Sequence, residues 1–506
     1  MERTFTVLFG FLFLSVSSVF AAERPNIIIL YGDDLGYGDL GCYNEDSKIP
    51  TPHLDQLAAE GMRFTDGHSS SGICTPSRYA LLTGRYHWRK MHGIVNAFGG
   101  SVFDPEILTL PEMLKEKGYY AALIGKWHLG WDWDAIKKSA AEPHEIMRNN
   151  RKTKVWGPED FDWSKRIPDG PLEHGFDYCF TDTVINFPPY CWIENDRVTA
   201  EPTVLMDTGK FKPIKEGNWE FRPGPMVEGW DPYENIPTTT AKGVELIKER
   251  AAREEPFFLF FAFPSPHAPI IPNDEFDGAS EAGPYGDFVV ETDAAIGKLL
   301  KALEDSGEAD NTLVIFTADN GPEQYAYPRL EKFQHWSSYP LRGLKRDIYE
   351  GGHRVPYIVK WPGKIAPGEK SDALVSQIDV MASIATVVDY ELPSEAAEDS
   401  YDLSGLWTGK TAVSARQEHV HNTRAGGYAI RRGDWVLVDA KSGYVSRKNE
   451  EWESTMGYTA AAQGAEGQLY DLSEDLEQRR NLIDKKPEKA AALRKLLARV
   501  RAGDGQ

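Results

Sequence analysis

Short uninterrupted apolar runs recur along this chain of 506 residues, and helical patterns separate them. A strand without polar alternation is buried on both faces, which is typical of parallel sheets covered by helices. The alternation therefore predicts an α/β fold in which helices sandwich a large mixed, mostly parallel sheet. The predicted strands cover residues 26–31, 120–124, 257–263, 312–317 and 355–361.

The pattern changes after about residue 410. Residues 428–431 and 435–439 flank Arg432-Gly433-Asp434, which is typical of a hairpin turn, and 468–472 is a further short strand. Residues 487–500 have the period of an amphipathic helix. We therefore predict a catalytic domain over residues 23–410 and a smaller C-terminal antiparallel sheet with one helix over 411–506.

Residues 131–237 lack a regular period and are rich in tryptophan, proline and charge. They are predicted to form an irregular insertion near the active face, where loops often carry substrate specificity. An inert surface elaboration is the alternative.

Residues 1–22 have the features of a signal peptide, because Arg3 precedes an apolar run over 5–16 and Val19-Phe20-Ala21 is typical of a cleavage site. The run is too short to span a bilayer comfortably, so we predict no stable membrane insertion. Export to a periplasm, to the outside of the cell, or to a lysosome in a eukaryote is expected. A formal net charge of -21 disfavours nucleic acid as a partner.

Oxygen-bearing side chains follow two of the predicted strands. Asp33 and Asp34 come after the first, and Asp319 and Asn320 after the fourth. Ligands bind at the carboxyl ends of strands in open α/β sheets, and adjacent carboxylates repel each other unless a cation joins them. Hard oxygen ligands suit Ca²⁺ or Mg²⁺ better than Zn²⁺. A cation site is predicted here, although Asp33 and Asp34 alone could form a capped turn.

Basic side chains occupy comparable positions. Lys126 and His128 follow the second predicted strand, His267 lies in a proline-rich loop after the third, and Lys345 precedes the fifth. A fixed cation beside an imidazole suits anion binding with proton transfer. Ordinary surface loops and a structural histidine are the alternatives.

One of the four cysteines stands in a distinct context. Pro76 fits the first turn of a helix, which places Cys74 at the helix amino end, where negative charge is favoured, and Arg78 one turn further on. A nucleophile facing a bound anion and a small buried thiol are both consistent with this position. The remaining cysteines are Cys42, Cys179 and Cys191; the last two could pair across a short loop, although sequence alone does not fix the pairing.

Cys74-Thr75-Pro76-Ser77-Arg78 resembles the C-x-P-S-R signature of the type I formylglycine-dependent sulfatases, the arylsulfatase family of the alkaline phosphatase superfamily. Gly125-Lys126-Trp127-His128, Asp319-Asn320-Gly321 and the segment 350–356 are similar to further motifs of that family, in its order. The resemblance is clear over residues 25–389 and looser beyond.

The resemblance implies that a formylglycine-generating maturation enzyme oxidises Cys74 to formylglycine (3-oxoalanine). It implies one metal ion, Ca²⁺ in preference to Mg²⁺, with the modified Cys74 side chain as one of its ligands. The related phosphatases use two zinc ions. The implied ligands are Asp33, Asp34, Cys74, Asp319 and Asn320; Arg78 stabilises the oxygen at position 74, Lys126, His267 and Lys345 hold the sulfate, and His128 removes a proton.

The expected function is hydrolysis of sulfate esters on a sulfated carbohydrate, with 6-sulfated galactose and N-acetylgalactosamine as the candidate units. A phosphate or phosphonate monoester hydrolase and an inactive glycan-binding homologue are the alternatives. The candidate sugar contacts are Trp131, His174, Tyr190 and His335.

Overall fold

The computed structural model describes residues 24–148, 151–217, 220–423, 427–445, 447–458 and 466–503. The predicted signal peptide lies outside this part of the chain. Among the described residues, no helix is long and apolar enough to cross a bilayer.

A ten-stranded sheet forms the centre of the molecule. Its middle strands are parallel, with the first strand between the third and fourth predicted ones. The fifth predicted strand runs antiparallel to its neighbour, so the sheet is mixed. Its strands, in spatial order, are Glu369–Ser371, Met62–Phe64, Tyr357–Lys360, Thr312–Ala318, Asn26–Gly32, Phe257–Ala262, Tyr120–Gly125, Tyr178–Thr181, Ile193–Glu194 and Arg197–Val198.

Helices cover both faces of this sheet. Along the first strand, Ile27 and Ile29 point into one apolar core while Ile28 and Leu30 point into the other, as alternation across a doubly buried strand requires. The predicted α/β sandwich is therefore confirmed. The α-helices are Pro52–Glu60, Cys74–Thr83, Leu110–Glu116, Asn235–Ala251, Gly283–Asp305, Ala326–Phe333, Glu350–His353, Val380–Val387, Ser404–Trp407, Arg447–Thr455 and Pro487–Ala502.

The C-terminal part forms a separate four-stranded antiparallel sheet, as predicted. Leu493 and Leu497 of the last helix pack against Ile430 and Leu437 of this sheet. Its strands are Glu418–Asn422, Tyr428–Arg432, Trp435–Asp439 and Gln468–Asp471.

Segment 131–237 includes the last three strands of the large sheet and two hairpin-like pairs. The pairs are His144–Arg148 with Arg151–Val155 and Val204–Leu205 with Pro225–Met226. Outside this segment, a further two-stranded sheet joins Gly67–His68 to Val375–Ser376.

All four cysteines are free thiols, so Cys179 and Cys191 are not paired. The Cys179 thiol donates instead to the Asn195 carbonyl at 3.0 Å.

Candidate active site

The oxygen-bearing side chains meet because their strands are neighbours in the sheet. Gly32 and Ala318 lie in register at the ends of adjacent parallel strands, so the residues that follow them emerge side by side. The Asp34 amide donates to Asp319 Oδ1 at 3.3 Å, and Asn320 Nδ2 donates to Asp34 Oδ1 at 2.8 Å. All four predicted oxygen ligands are buried.

This cluster fits a hard divalent cation. Asp33 Oδ1 and Asn320 Oδ1 are buried and have no hydrogen-bond partner among the described residues. Ligand atoms of Asp33, Cys74 and Asp319 lie within 4.8 Å of one another. Burial and the neighbouring Asp33 raise the pKa of Asp319 to about 7, and a bound cation would favour its ionised form. Oxygen ligands in this number suit Ca²⁺ or Mg²⁺.

Cys74 is the first residue of the helix Cys74–Thr83, at its positive end. Only 3% of its surface is exposed. Burial raises the pKa of the Cys74 thiol, although Lys126 and Lys345 oppose the shift. An unmodified thiol here would stay protonated at neutral pH and attack poorly.

Arg78 links the helix to the oxygen cluster. Its Nε and Nη2 donate to Asp319 Oδ2 at 3.1 and 2.9 Å, and its Nη1 donates to the Lys126 carbonyl at 2.9 Å. A guanidinium with this many partners is fixed in orientation one turn from Cys74.

Two lysines and one histidine surround Asp33 and Asp34, and together with Arg78 and Asp319 these side chains form the charged floor of the site. Lys126 donates to Asp33, and Lys345 Nζ donates to Asp34 Oδ2 at 2.7 Å. His267 Nδ1 donates to the Ala268 carbonyl at 2.6 Å, which leaves Nε2 facing Asp34 Oδ2 at 3.7 Å.

The formal charges of this floor cancel, because Asp33, Asp34 and Asp319 face Arg78, Lys126 and Lys345. Burial opposes ionisation of Asp33, but its basic neighbours outweigh burial and hold its pKa well below its usual range. With those charges balanced, the charge of a divalent ion would be available to an anionic substrate.

His128 presents one ring nitrogen without a partner among the described residues. Its Nε2 donates to the Val95 carbonyl at 3.0 Å, and its buried Nδ1 has no hydrogen-bond partner among the described residues. Burial and the charge of Lys126 lower the pKa of His128 well below its ordinary value, so the ring is neutral with a free lone pair. Its φ of 57° lies in the left-handed region, which is uncommon for a non-glycine residue and clusters at functional sites.

A cavity of about 410 Å³ opens above these groups. Cys74, His128, His267 and Lys345 contribute to its floor and wall. Polar side chains that the sequence analysis missed line the rest, and they come from loops without a recognisable motif, so no sequence signal singles them out. They are Asn96, Asn186, Glu220, Arg222 and Arg346.

The four candidate sugar contacts do not line this cavity, and each is buried. His174 Nε2 bonds Asp169 Oδ1 at 3.0 Å, His335 Nε2 bonds Asp39 Oδ1 at 2.8 Å, and the Tyr190 hydroxyl donates to the Asn186 carbonyl at 3.0 Å. Trp131 packs in the core against Gly170. The polar atoms of the two histidines and Tyr190 are thus engaged by the protein itself, and Tyr190 also donates to the carbonyl of Arg222, a residue of the cavity wall. Trp131 Nε1 is buried without a hydrogen-bond partner among the described residues, and the ring lines a neighbouring cavity.

The comparisons with known proteins agree with this geometry. The Sulfatase family model matches residues 25–390. An N-acetylgalactosamine-6-O-sulfatase from Bacteroides thetaiotaomicron is 32% identical, covering 95% of this chain and 94% of that protein. Human N-acetylgalactosamine-6-sulfatase is 34% identical over 76% of this chain and 66% of its own, and human arylsulfatase A is 33% identical over 93% and 86%.

Solved structures give the same result. A structure from work on glycosaminoglycan metabolism by Bacteroides thetaiotaomicron has a TM-score of 0.79 at 30% identity, covering 95% of this chain and 100% of that chain. A sulfatase from Pseudoalteromonas sp. has a TM-score of 0.71 at 25% identity, covering 95% and 90%. This chain therefore belongs to the sulfatase family and is a sulfuric ester hydrolase.

Proposed function

We propose that this sulfatase removes 6-O-sulfate from galactose-type units, N-acetylgalactosamine above all, in a sulfated saccharide. One relative that covers 95% of the chain carries an N-acetylgalactosamine-6-O-sulfatase name. The wall of the cavity adds amide side chains, which suit sugar hydroxyl and acetamido groups, and arginines, which suit further anionic groups. Export, by a signal peptide over residues 1–22, is part of this proposal because such polymers lie outside the cytoplasm.

The observation that carries the proposal is the convergence of an oxygen cluster and three buried cations around Cys74, which itself lines the cavity. Asp33, Asp34, Asp319 and Asn320 would hold one Ca²⁺, whose charge would polarise the sulfate group and favour an oxyanion at position 74. A maturation enzyme would convert Cys74 to formylglycine, which when hydrated supplies an oxygen nucleophile for sulfur and a second hydroxyl for the release of sulfate.

The chain's own residues would then act as follows. Lys126, His267 and Lys345 hold the sulfate oxygens and offset charge in the transition state. As the bond between sulfur and the sugar oxygen breaks, His267 or Lys345 gives that oxygen a proton, and the sugar leaves as an alcohol. Arg78, fixed by Asp319, stabilises the oxygen at position 74.

His128 serves the second half of the reaction. Its free Nδ1 takes a proton from the remaining hydroxyl at position 74, so that the carbon–oxygen bond to sulfate can break while a carbonyl re-forms. Inorganic sulfate leaves, and water restores the hydrate.

The test is turnover on defined sulfated saccharides after co-expression with a maturation enzyme. We expect 6-O-sulfated N-acetylgalactosamine to be desulfated, with activity lost in Cys74→Ala and kept in Cys42→Ala, which removes a free thiol outside the cavity. Faster hydrolysis of the phosphate ester than of the sulfate ester of the same alcohol would contradict the proposed reaction. Activity confined to 4-O- or 2-O-sulfates would contradict only the proposed substrate.

A further inference from the structure

Four buried histidines meet where the two-stranded sheet of Gly67–His68 lies beside the C-terminal sheet, outside the lining of the catalytic cavity. His68 lies on the strand Gly67–His68, His353 ends the helix Glu350–His353, and His419 and His421 lie on the strand Glu418–Asn422. The His68 ring centroid is 5.1 Å from that of His353 and 5.0 Å from that of His419. The proposed sulfatase reaction uses none of them.

Oxygen acceptors determine which nitrogen of three rings carries the proton. His68 Nε2 is 2.8 Å from Asp66 Oδ1, His419 Nε2 is 3.2 Å from the Ser69 carbonyl, and His421 Nε2 contacts the Ile348 carbonyl. Ionised carboxylate and carbonyl oxygens only accept hydrogen bonds, so each Nε2 must donate. In a neutral ring, Nδ1 is then left with a lone pair.

These lone pairs have little within the fold to bind them. Within the described part of the chain, His419 Nδ1 and His421 Nδ1 have no hydrogen-bond partner, whereas His68 Nδ1 accepts a hydrogen bond from another ring nitrogen, His353 Nδ1, at 3.0 Å. His353 Nε2 is also unpartnered. Buried polar atoms without partners are rare in native proteins and call for a ligand or water.

Protonation of the rings does not account for these unpartnered nitrogens. Burial and the neighbouring imidazoles lower the pKa of His353 and His419 well below the ordinary value, and burial lowers that of His421 to about 4. Asp66 and one oxygen of Glu350 are engaged by arginines, since Arg431 Nη1 lies 2.6 Å from Asp66 and Arg354 Nη1 lies 3.3 Å from Glu350 Oε2. Glu350 Oε1 has no hydrogen-bond partner among the described residues and lies 4.0 Å from His353 Nε2. His353, His419 and His421 therefore present neutral rings with nitrogen lone pairs.

We propose that His68, His353 and His419 bind a divalent transition-metal ion, with Zn²⁺ as the best match. Their ligand atoms lie within 4.8 Å of one another. Tetrahedral zinc with bonds of about 2.0–2.1 Å places its ligand atoms about 3.3 Å apart. The distance between His68 Nδ1 and His353 Nδ1 is 3.0 Å, which is close to this value. Neutral imidazole suits zinc and not Ca²⁺, which takes oxygen ligands.

The surroundings of the three rings resemble those of known metal-binding histidines. A ligating histidine usually donates its other N–H to a carboxylate or a carbonyl, which fixes the ring and increases its basicity. Asp66 does this for His68, and the Ser69 carbonyl does it for His419. Water would complete the coordination of the ion.

An ion at this position would join three separate parts of the chain. The Ser69 amide, next to His68, donates to the His353 carbonyl at 2.8 Å, and Ser71 Oγ donates to the Asn422 carbonyl at 2.8 Å. Residues 69–71, which make these two contacts, lie just before Cys74 in the sequence. The ion would thus hold the C-terminal sheet against the base of the loop that carries the nucleophile, and its loss would lower thermal stability.

Metal analysis tests this proposal on the full chain. We expect the wild type, purified from zinc-supplemented medium, to hold one zinc per chain and His419→Asn to hold less than about a tenth of that. His87→Gln is the matched control, because His87 is buried nearby with both ring nitrogens hydrogen-bonded, to Ser70 Oγ and Asn422 Oδ1, each at 3.2 Å. It should keep the zinc.

Cobalt gives a second readout that needs no variant. Apo-protein titrated with Co²⁺ should develop the visible bands of a tetrahedral nitrogen-rich site, and excess Ca²⁺ should not remove them. Wild-type protein without zinc and without a cobalt spectrum would overturn the proposal and leave water as the partner of these nitrogens. Displacement by Ca²⁺, or equal zinc loss in His87→Gln, would also overturn it. Sulfatase activity is not the measure, so this test is independent of the proposed reaction.

Discussion

Asp319→Asn separates metal binding from structural support at the cavity floor. The substitution keeps the side-chain shape and removes one negative charge. Asp319 Oδ2 accepts two bonds from the fully buried Arg78, at 3.1 and 2.9 Å. Removing one partner of a buried ion pair costs about 3–5 kcal/mol, because the other charge stays buried without compensation. Because burial and Asp33 raise the pKa of Asp319 to about 7, the ionised carboxylate is disfavoured without metal, and the free energy of unfolding should fall by well under this amount.

Asp379→Asn is a matched control for that structural cost. Asp379 is also fully buried and accepts two bonds from Arg416, at 2.7 and 2.6 Å. Among the described residues, Asp319 belongs to a cluster of side chains that could hold a metal ion, and Asp379 belongs to none. In the absence of metal Asp379→Asn should lose more stability than Asp319→Asn, whereas only Asp319→Asn should lose the cation.

The assay is urea unfolding with and without Ca²⁺. At a Ca²⁺ concentration 100-fold above Kd, binding to the folded state stabilises it by about 2.7 kcal/mol. Wild type and Asp379→Asn should both gain this increment, and Asp319→Asn should gain almost none and lose turnover. A full Ca²⁺ increment in Asp319→Asn would refute the ligand assignment, and its loss in Asp379→Asn would show that the increment does not report on this site.

Three further predictions concern the cavity and its pH response. His128→Gln should slow sulfate release by about 10²–10⁴-fold, so that one equivalent of alcohol appears in a burst and intact mass shows retained sulfate; steady turnover without a burst would contradict its role. Asn186→Ala should raise KM for the saccharide at least about fivefold, a loss near 1 kcal/mol, and leave KM for a small aryl sulfate unchanged; equal effects on both would place the sugar elsewhere. Burial raises the pKa of Asp182 from its ordinary 3.8 to about 6, so folding favours the protonated acid and stability falls as pH rises through this interval. Asp182→Asn should therefore raise Tm relative to wild type at pH 8 but not at pH 4. A Tm difference between variant and wild type that is the same at both pH values would contradict the raised pKa of Asp182.

The sequence predicted the large sheet and the cavity floor for one physical reason. Apolar strands such as 257–263 have to be buried on both faces, and the carboxyl ends of parallel neighbours have to meet. Asp34 and Asn320 are therefore in hydrogen-bond contact although 286 positions separate them in the sequence. The direction of Tyr357–Lys360 stayed open, because apolar content does not report strand polarity. The other five strands of the sheet were not predicted, because each has only two to four residues and so no recognisable pattern.

The cavity wall and the histidine cluster could not be predicted in this way. Asn186 and Arg222 reach the cavity through loops whose paths depend on tertiary packing, including the bond from Tyr190 to the Asn186 carbonyl. Trp131 and His174 were candidates as aromatic residues of an insertion, but residue type does not distinguish a sugar platform from a core side chain. His68 and His419 lie 5.0 Å apart only because two sheets pack together.

Peptide mass spectrometry of the segment around position 74 tests the central claim most directly. An active preparation should carry the aldehyde in place of the thiol, in a fraction equal to the fraction of active sites counted by the alcohol burst of His128→Gln. Full activity from protein in which Cys74 remains an unmodified thiol would contradict the account.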